Sequence, residues 1–488
     1  MAVRYVVLSD LHLGAKESLL THLDHRGKVA RDPSDVMDHL GQALRATVAP
    51  MAGGEPVQLV LLGDALDLGL TPFGTVSRAF LHLVDALWPE GEAQVFSDDI
   101  LCIPGNHDHH LWRMAQDRAF VDAIADAGEA EIPSDIPHVS RVTGNPAYRC
   151  ALMEAILTKR AHMKGAQVRI AYPNYAIASE DASRAVVFHH GHYIDAMYRT
   201  LSRLRAWIAG TDPRGETIAQ IEAENGAWVD FLWSNLGSAG DWGSESDTLY
   251  ETMLDAGASH DFAEALALRV CGDLGAKMGV RGDTEIKYGV TVEQAIRGIV
   301  DLTAGRAAQS QRDGYAHVLS GGEVDDLGWY MSGPVARQLK DELGCVPDNC
   351  SLIFGHTHKP FQDQVKAEGF AKPLGVYNTG GWVLDQPTLM ATQGGAAMFV
   401  DDQLGVASLR LFNDPVGGRM RGVHAAGCGR RTREDAALVT ALQSQVEANR
   451  TGWDAFTSAT KNRILRGSAE TVERFQDHEH CILREAAR

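Results

Sequence analysis

Leu59-Val60-Leu61-Leu62-Gly63-Asp64-Ala65-Leu66-Asp67 is an apolar run that stops at a glycine and two carboxylates. Four other runs in the chain stop in the same way. Tyr5-Val6-Val7-Leu8 leads into Ser9-Asp10-Leu11-His12, and Ile100-Leu101-Cys102-Ile103 leads into Pro104-Gly105-Asn106-His107-Asp108. Ala185-Val186-Val187-Phe188 runs into His189-His190-Gly191-His192, and Leu352-Ile353-Phe354 into Gly355-His356-Thr357-His358. Short β-branched runs bounded by turn residues read as buried strands. In open α/β sheets the ligand crevice lies beyond the carboxyl ends of the strands, so the five endings are expected to converge on one site.

What converges there is a set of carboxylates, an asparagine carbonyl and several imidazoles, with no thiolate among them. Such a mixture suits Mn²⁺, Fe, Co or Zn²⁺ better than Mg²⁺ or Ca²⁺, which prefer all-oxygen shells. One ion is too few for so many donors, and a pair of ions sharing a carboxylate is the economical reading.

The ordered motifs D-x-H at Asp10, G-D-x-x-D at Gly63, G-N-H-D at Gly105, a histidine before a glycine at His190, and G-H-x-H at Gly355 resemble the calcineurin-like metallophosphoesterase family. The resemblance covers residues 3–192 and 351–412. It implies an α/β fold of two packed mixed β-sheets flanked by helices, a four-layer sandwich. It also implies that Asp10, His12, Asp64 and His358 hold one metal ion and that Asp64, Asn106, His190 and His356 hold a second. The ions expected are divalent transition metals, Mn, Fe or Zn. A hydroxide bridging them would attack phosphorus while His107, oriented by Asp67 or Asp108, serves the leaving oxygen as proton donor or charge stabiliser.

Each residue has a plainer reading. Asp10 and Asp64 alone would pass for helix caps. His192 is a candidate substrate contact, and His189 a core group beside the ligand His190. Arg199 and Arg203 lie one helical turn apart and can reach a substrate phosphate, but an Asp195–Arg199 pair on a solvated face explains them as well. His109, His110, His478 and His480 read as surface residues.

Composition narrows the partners. With 45 Lys and Arg against 64 Asp and Glu the chain carries a net charge of −19, which repels the nucleic-acid backbone. The substrate that the family resemblance implies is a small-molecule phosphoester. The N-terminus enters a strand directly with no signal-peptide pattern, no apolar run is long enough to span a bilayer, and seven scattered cysteines suit a reduced, cytoplasmic chain.

Strands alternating with helical stripes argue for parallel pairing at the centre of the fold. Helices are expected over residues 33–48, capped by Asp32, over 73–87 and over 112–127. Val168-Arg169-Ile170 and Tyr175-Ala176-Ile177 flank Pro173-Asn174 like a hairpin. Residues 1–192 and 351–415 are read as the core. Residues 193–350 are read as an inserted helical cap, with a capping pair at Thr291 and Gln294 and a last helix from Pro334 to Leu343 that ends at Gly344, and residues 416–488 as a C-terminal helical extension. Within the family, Ser9-Asp10-Leu11-His12-Leu13-Gly14 is similar to the UDP-2,3-diacylglucosamine hydrolases, although His107 stands where those carry arginine. The chain also admits reading as a nuclease, or as a catalytically weak protein-binding scaffold on the same fold.

Overall fold

A computed structural model of the chain describes residues 1–24, 28–194, 217–229, 285–287, 290–291, 319, 321–384, 389–416, 419–429 and 432–486. The strands in chain order are β1 (Val3–Leu8), β2 (Gln58–Leu61), β3 (Asp99–Cys102), β4 (Tyr148–Arg149), β5 (Gln167–Ile170), β6 (Asn174–Ala178) and β7 (Arg184–His189). There follow β8 (Glu285–Lys287), β9 (Val290–Thr291), β10 (Asn349–Phe354), β11 (Phe361–Val365), β12 (Leu374–Asn378), β13 (Gly395–Asp401) and β14 (Val406–Phe412). Three short strands complete the set, β15 (Asp414–Val416), β16 (Arg419–Arg421) and β17 (His424–Ala426).

Two mixed sheets carry the architecture. The eight-stranded sheet runs β17-β14-β13-β1-β2-β3-β5-β4, with β1, β2, β3 and β5 parallel and β13 antiparallel to β1. The five-stranded sheet runs β11-β12-β10-β7-β6, with β7, β10 and β12 parallel and antiparallel edges.

Successive side chains on a strand point to opposite faces, so an uninterrupted apolar run means that both faces are covered. Val60 and Leu62 join Val7, Phe188, Ile353 and Met398 in the core between the sheets, while Leu59 and Leu61 point outward. There they meet Leu40 and Leu44 of the helix Asp35–Val48 and Phe80 and Leu83 of the helix Phe73–Leu87. On the outer face of the five-stranded sheet, Val187, Leu352 and Val376 meet Ile218, Ile221, Leu327, Tyr330 and Leu339. The order of layers is therefore helix, sheet, sheet, helix, as the family resemblance implies.

Several expectations change. The helix Asp35–Val48 is capped by Ser34 rather than Asp32, because Ser34 has extended backbone and its Oγ accepts from the N–H of Met37, three residues on. β5 and β6 form no hairpin. β5 closes against β3 in the large sheet, and β6 pairs antiparallel with β7 in the small one, so the Pro173-Asn174 turn carries the chain between sheets. A turn signal marks a reversal but does not choose the partner strand.

Thr291 ends the short strand β9 instead of opening a helix, and Gln294 lies outside the described residues. Pro334 does not begin a helix either. It sits in a π-helical stretch, Met331–Val335, that joins the helix Gly321–Tyr330 to the helix Ala336–Leu343, which ends at Gly344 in left-handed conformation. These helices and Ile218–Val229 form the outer layer of the small sheet. The segment after 416 begins with strands, β17 adding to the large sheet beside β14, before the helices Arg433–Ala448 and Arg450–Ala486. Arg199 and Arg203 lie outside the described residues. No helix among the described residues is long and apolar enough to cross a membrane.

Candidate metal centre

The carboxyl ends of the parallel strands of both sheets point into one crevice, and the loops leaving them bring Asp10, His12, Asp64, Asn106, His190, His356 and His358 together. Five of these seven hold left-handed backbone: Asp10 (φ 49°), His12 (43°), Asp64 (49°), His356 (68°) and His358 (55°). For a residue other than glycine that conformation costs about 1–3 kcal/mol and persists only where the surroundings impose it. A ladder between loops does so here. Asp10 N donates to Gly63 O at 3.0 Å, His12 N to Asp64 O at 2.9 Å, and Gly355 N to His190 O at 2.7 Å.

Two glycines permit this crowding. A Cβ on Gly105 would lie 2.3 Å from Asp64 Oδ1, and one on Gly355 would lie 2.2 Å from Asp10 Oδ2. The backbone must pass directly against both carboxylates.

Three groups bring their donor atoms within 4.8 Å of one another: Asp10, His12 and His358; His12, Asp64 and His107; and Asp64, His190 and His356. Asp64 and His12 each belong to two groups, so the three form one connected centre. His190 Nε2 lies 3.1 Å from Asp64 Oδ2 and 3.2 Å from Asn106 Oδ1, and its Nδ1 lies 3.1 Å from Leu62 O. His358 Nε2 lies 3.4 Å from Asp10 Oδ1, whose carboxylate also accepts from His356 N at 3.0 Å.

His12 Nε2 is buried with no hydrogen-bond partner, 3.9 Å from Asp64 Oδ2. A buried imidazole nitrogen left without a partner beside a carboxylate is unfavourable unless something else binds it. Together with the mixed nitrogen and oxygen donors, it makes these residues a fit for transition-metal ions. Burial disfavours the charged forms of Asp10, Asp64 and His190. His190 nonetheless has its pKa raised to about 9, because Asp64 and Asp10 outweigh that penalty.

His107 stands at the edge of this centre, its ring centroid 4.6 Å from that of His12. Its Nδ1 lies 2.8 Å from Asp67 Oδ1 and its backbone N–H donates to Asp64 Oδ1 at 2.8 Å. Burial lowers the pKa of His107, but the charges of Asp64 and Asp67 prevail and hold it above the ordinary histidine value. Asp67 itself is buried and would be raised by that alone, yet its contacts with His107 and His12 hold it well below the usual carboxylate range.

Asp108, expected as a second possible partner for that ring, has a different place. Its Oδ1 accepts from the N–H groups of Gly105 at 2.7 Å and Asp64 at 3.2 Å, and its Oδ2 from those of Ala65 at 2.9 Å and Leu66 at 3.3 Å. It braces the loop after β3 against the loop after β2. Burial and the nearby Asp64 charge push its pKa up to about 6.

Other sites move as well. His192, expected to touch substrate, is fully buried among Tyr172, His189 and Tyr193, where burial holds it neutral. His109, read as a surface residue, is buried against Tyr172, while His110 stacks on Phe73. His189 is a core group, as expected, and its Nδ1 accepts from Gly191 N at 2.8 Å.

A sixth strand ending escaped the sequence reading. Asn378 Nδ2 donates to Gly355 O at 2.8 Å, and Ser9 Oγ is hydrogen-bonded both to Thr379 Oγ1 and to Asp10 Oδ2. The signal was present, since Gly375-Val376-Tyr377 also runs into a polar pair and two glycines, Asn378-Thr379-Gly380-Gly381.

Residues 3–285, more than half of the chain, match the family model described as calcineurin-like phosphoesterase. The match ends before Gly355–His358, which the fold nevertheless delivers to the same crevice. No curated protein matches the chain.

Proposed function

This chain belongs to the calcineurin-like phosphoesterase family, and we propose that it hydrolyses phosphoric esters with two divalent transition-metal ions, Mn, Fe or Zn. Asp10, His12, Asp64 and His358 would hold one ion, and Asp64, Asn106, His190 and His356 the other. The observation that carries this reading is the connected centre itself, in which two of the three donor groups meet at Asp64 and His12 Nε2 lacks any other partner. Bound there, two such ions supply an activated water at neutral pH and neutralise the phosphoryl oxygens.

The rest is the work of side chains. Asp67 is ionised and can only accept, so the hydrogen of the His107–Asp67 contact sits on Nδ1 of His107. Nε2 is then the nitrogen that exchanges a proton with the leaving oxygen. The raised pKa keeps a protonated fraction available near neutrality, which a general acid needs. Ser9 and Thr379 orient the Asp10 carboxylate, and Asp108 fixes the loops of Asp64 and Asn106.

The substrate is read as a small phosphomonoester or phosphodiester. A pyrophosphatase of the UDP-2,3-diacylglucosamine type and a nuclease are weaker readings, the second because of the net charge of −19. The His107–Asp67 pair favours a hydrolase over a binding scaffold, which has no use for an oriented proton donor.

The test is turnover of a panel of phosphomonoesters, cyclic nucleotides, nucleotide-sugars and single-stranded DNA by Mn²⁺-loaded protein of measured metal content. Hydrolysis of at least one small ester is expected. Two bound ions with no turnover of any panel member would hand the site to the scaffold reading.

A further inference from the structure

The loops that carry Asn106 and His190 continue into a buried group of polar and aromatic side chains. His109 follows Asn106 by three residues, and its ring meets Tyr172 edge-on at 5.1 Å. His192 follows His190 by two and lies parallel to Tyr172 at 6.4 Å. Tyr330, from the helix Gly321–Tyr330, packs on His189 at 5.1 Å and on Tyr193 at 4.7 Å.

Into this group the helix Ile218–Val229 inserts Glu222, which is only 2 % exposed. Neither carboxyl oxygen makes a well-formed hydrogen bond, and no cation among the described residues pairs with it. It faces the hydroxyls of Tyr172 and Tyr330. A Cβ on Gly226, one turn along the same helix, would lie 3.8 Å from both Glu222 Oε2 and His109 Nε2, so these two atoms flank one point of the helix. A leucine would fill such a place without leaving two oxygens short of donors. An acid kept there is better explained by what it holds.

We propose that Glu222 is a positioning residue for the hydrolytic reaction, docking the helix Ile218–Val229 onto His109, Tyr172 and Tyr330 and so holding in place the loops that carry Asn106, His107 and His190. The inference rests on the phosphoesterase reading, and Glu222 acts only through its neighbours.

Its protonation state follows from what surrounds it. The facing groups are the hydroxyls of Tyr172, from the β5–β6 connection, and of Tyr330, with His109 of the loop after β3 beside them; His189, His192 and Tyr193 pack around those rings. His189 and His192 are held neutral by burial, and Tyr330 has its pKa pushed well up. Burial pushes Glu222 up to about 8, with Tyr172 opposing. The unfolded chain loses this proton near the ordinary carboxyl value of 4.5, while the folded chain keeps it to about 8. Stability therefore falls as pH rises between those values and changes no further above them on account of this group.

The experiment compares full-length, Mn²⁺-loaded wild type with Glu222→Ala and Glu222→Gln. Hydrogen exchange in residues 104–112 and 189–194 is read beside kcat and KM on an activated ester, and the urea midpoint is followed from pH 5 to 8. In Glu222→Ala, exchange should quicken in those two segments alone, and kcat should fall about tenfold with KM little changed, as expected for misplaced groups. Glu222→Gln, a neutral acid mimic, should keep wild-type exchange and kcat at pH 7 and lose the fall in urea midpoint with rising pH.

Wild-type exchange or kcat in Glu222→Ala, or an increase spread over the whole chain, overturns the proposal. Should Glu222→Ala not fold, the glutamine variant decides, and a pH slope equal to wild type overturns it. If the wild type hydrolyses no ester, the parent reading fails, and the exchange and pH-slope results still judge Glu222.

Discussion

His107 and Asp108 are neighbours in one motif, yet they are put to opposite uses. The first presents its ring to Asp67 and the crevice, and the second turns its carboxylate inward onto four backbone N–H groups. Replacing His107 by alanine should leave metal content intact and lower turnover of an ester with a poor leaving group by about 10²-fold or more. A nitrophenyl ester, which departs without a proton, should suffer less, and equal losses on both would show that His107 donates none. Asp108→Asn should instead damage the fold, since the amide turns an NH₂ toward donors that need an acceptor. A loss of at least about 2 kcal/mol in urea unfolding is expected; an unchanged midpoint would remove the bracing role. That Asp10, His12, Asp64, Asn106, His190, His356 and His358 meet in one crevice was legible because each follows a strand end, where topology dictates direction. The burial of His109 was not, because it depends on the helix Ile218–Val229, more than a hundred residues further along the chain, and that of His192 was not, because the rings that cover it, Tyr172 among them, are brought there by the tertiary fold.

At the scale of elements, the apolar runs of β1, β2, β3, β7 and β10 were readable as strands because both of their faces are covered, which leaves no polar alternation. Their division between two sheets was not readable, and the missing hairpin of β5 and β6 is the consequence. The C-terminal helices show a related limit: their apolar stripes predict that they pack, but not what they support. Trp453 is buried with its Nε1 donating to Thr47 Oγ1 at 3.0 Å, tying the helix Arg450–Ala486 to Asp35–Val48. Phe456, one turn on, packs on Trp382, whose backbone N–H donates to Asp10 O at 3.1 Å. This helix thus stands two contacts from a candidate ligand. Trp453→Ala should lower stability by about 3–5 kcal/mol through the cavity it leaves, measured by urea unfolding of the metal-free chain. A loss below about 1 kcal/mol would mean that this end of the chain is packed too loosely to support the core.

For the molecule as a whole, the notable feature of the centre is that its donors come from both sheets. Asp10, His12, Asp64 and Asn106 follow strands of the eight-stranded sheet, and His190, His356 and His358 follow strands of the five-stranded one. Ions held between them would join the two sheets at their carboxyl edges, beyond the apolar core of Val7, Val60, Phe188 and Ile353. They would also offset the left-handed backbone of five candidate ligands, which the metal-free chain must sustain by its own hydrogen bonds. Metal and fold should therefore be linked: a ligand that binds only the folded chain stabilises it by about 2.7 kcal/mol at a concentration of one hundred times its Kd. Adding Mn²⁺ to chelator-treated protein should raise the urea midpoint in a concentration-dependent way, and elemental analysis should approach two ions per chain. Asp64→Asn, which removes the carboxylate shared by two of the donor groups, should lose most of that rise and at least one ion. A variant that keeps the full shift and both ions would show that Asp64 bridges nothing, and the dinuclear reading would fall with it.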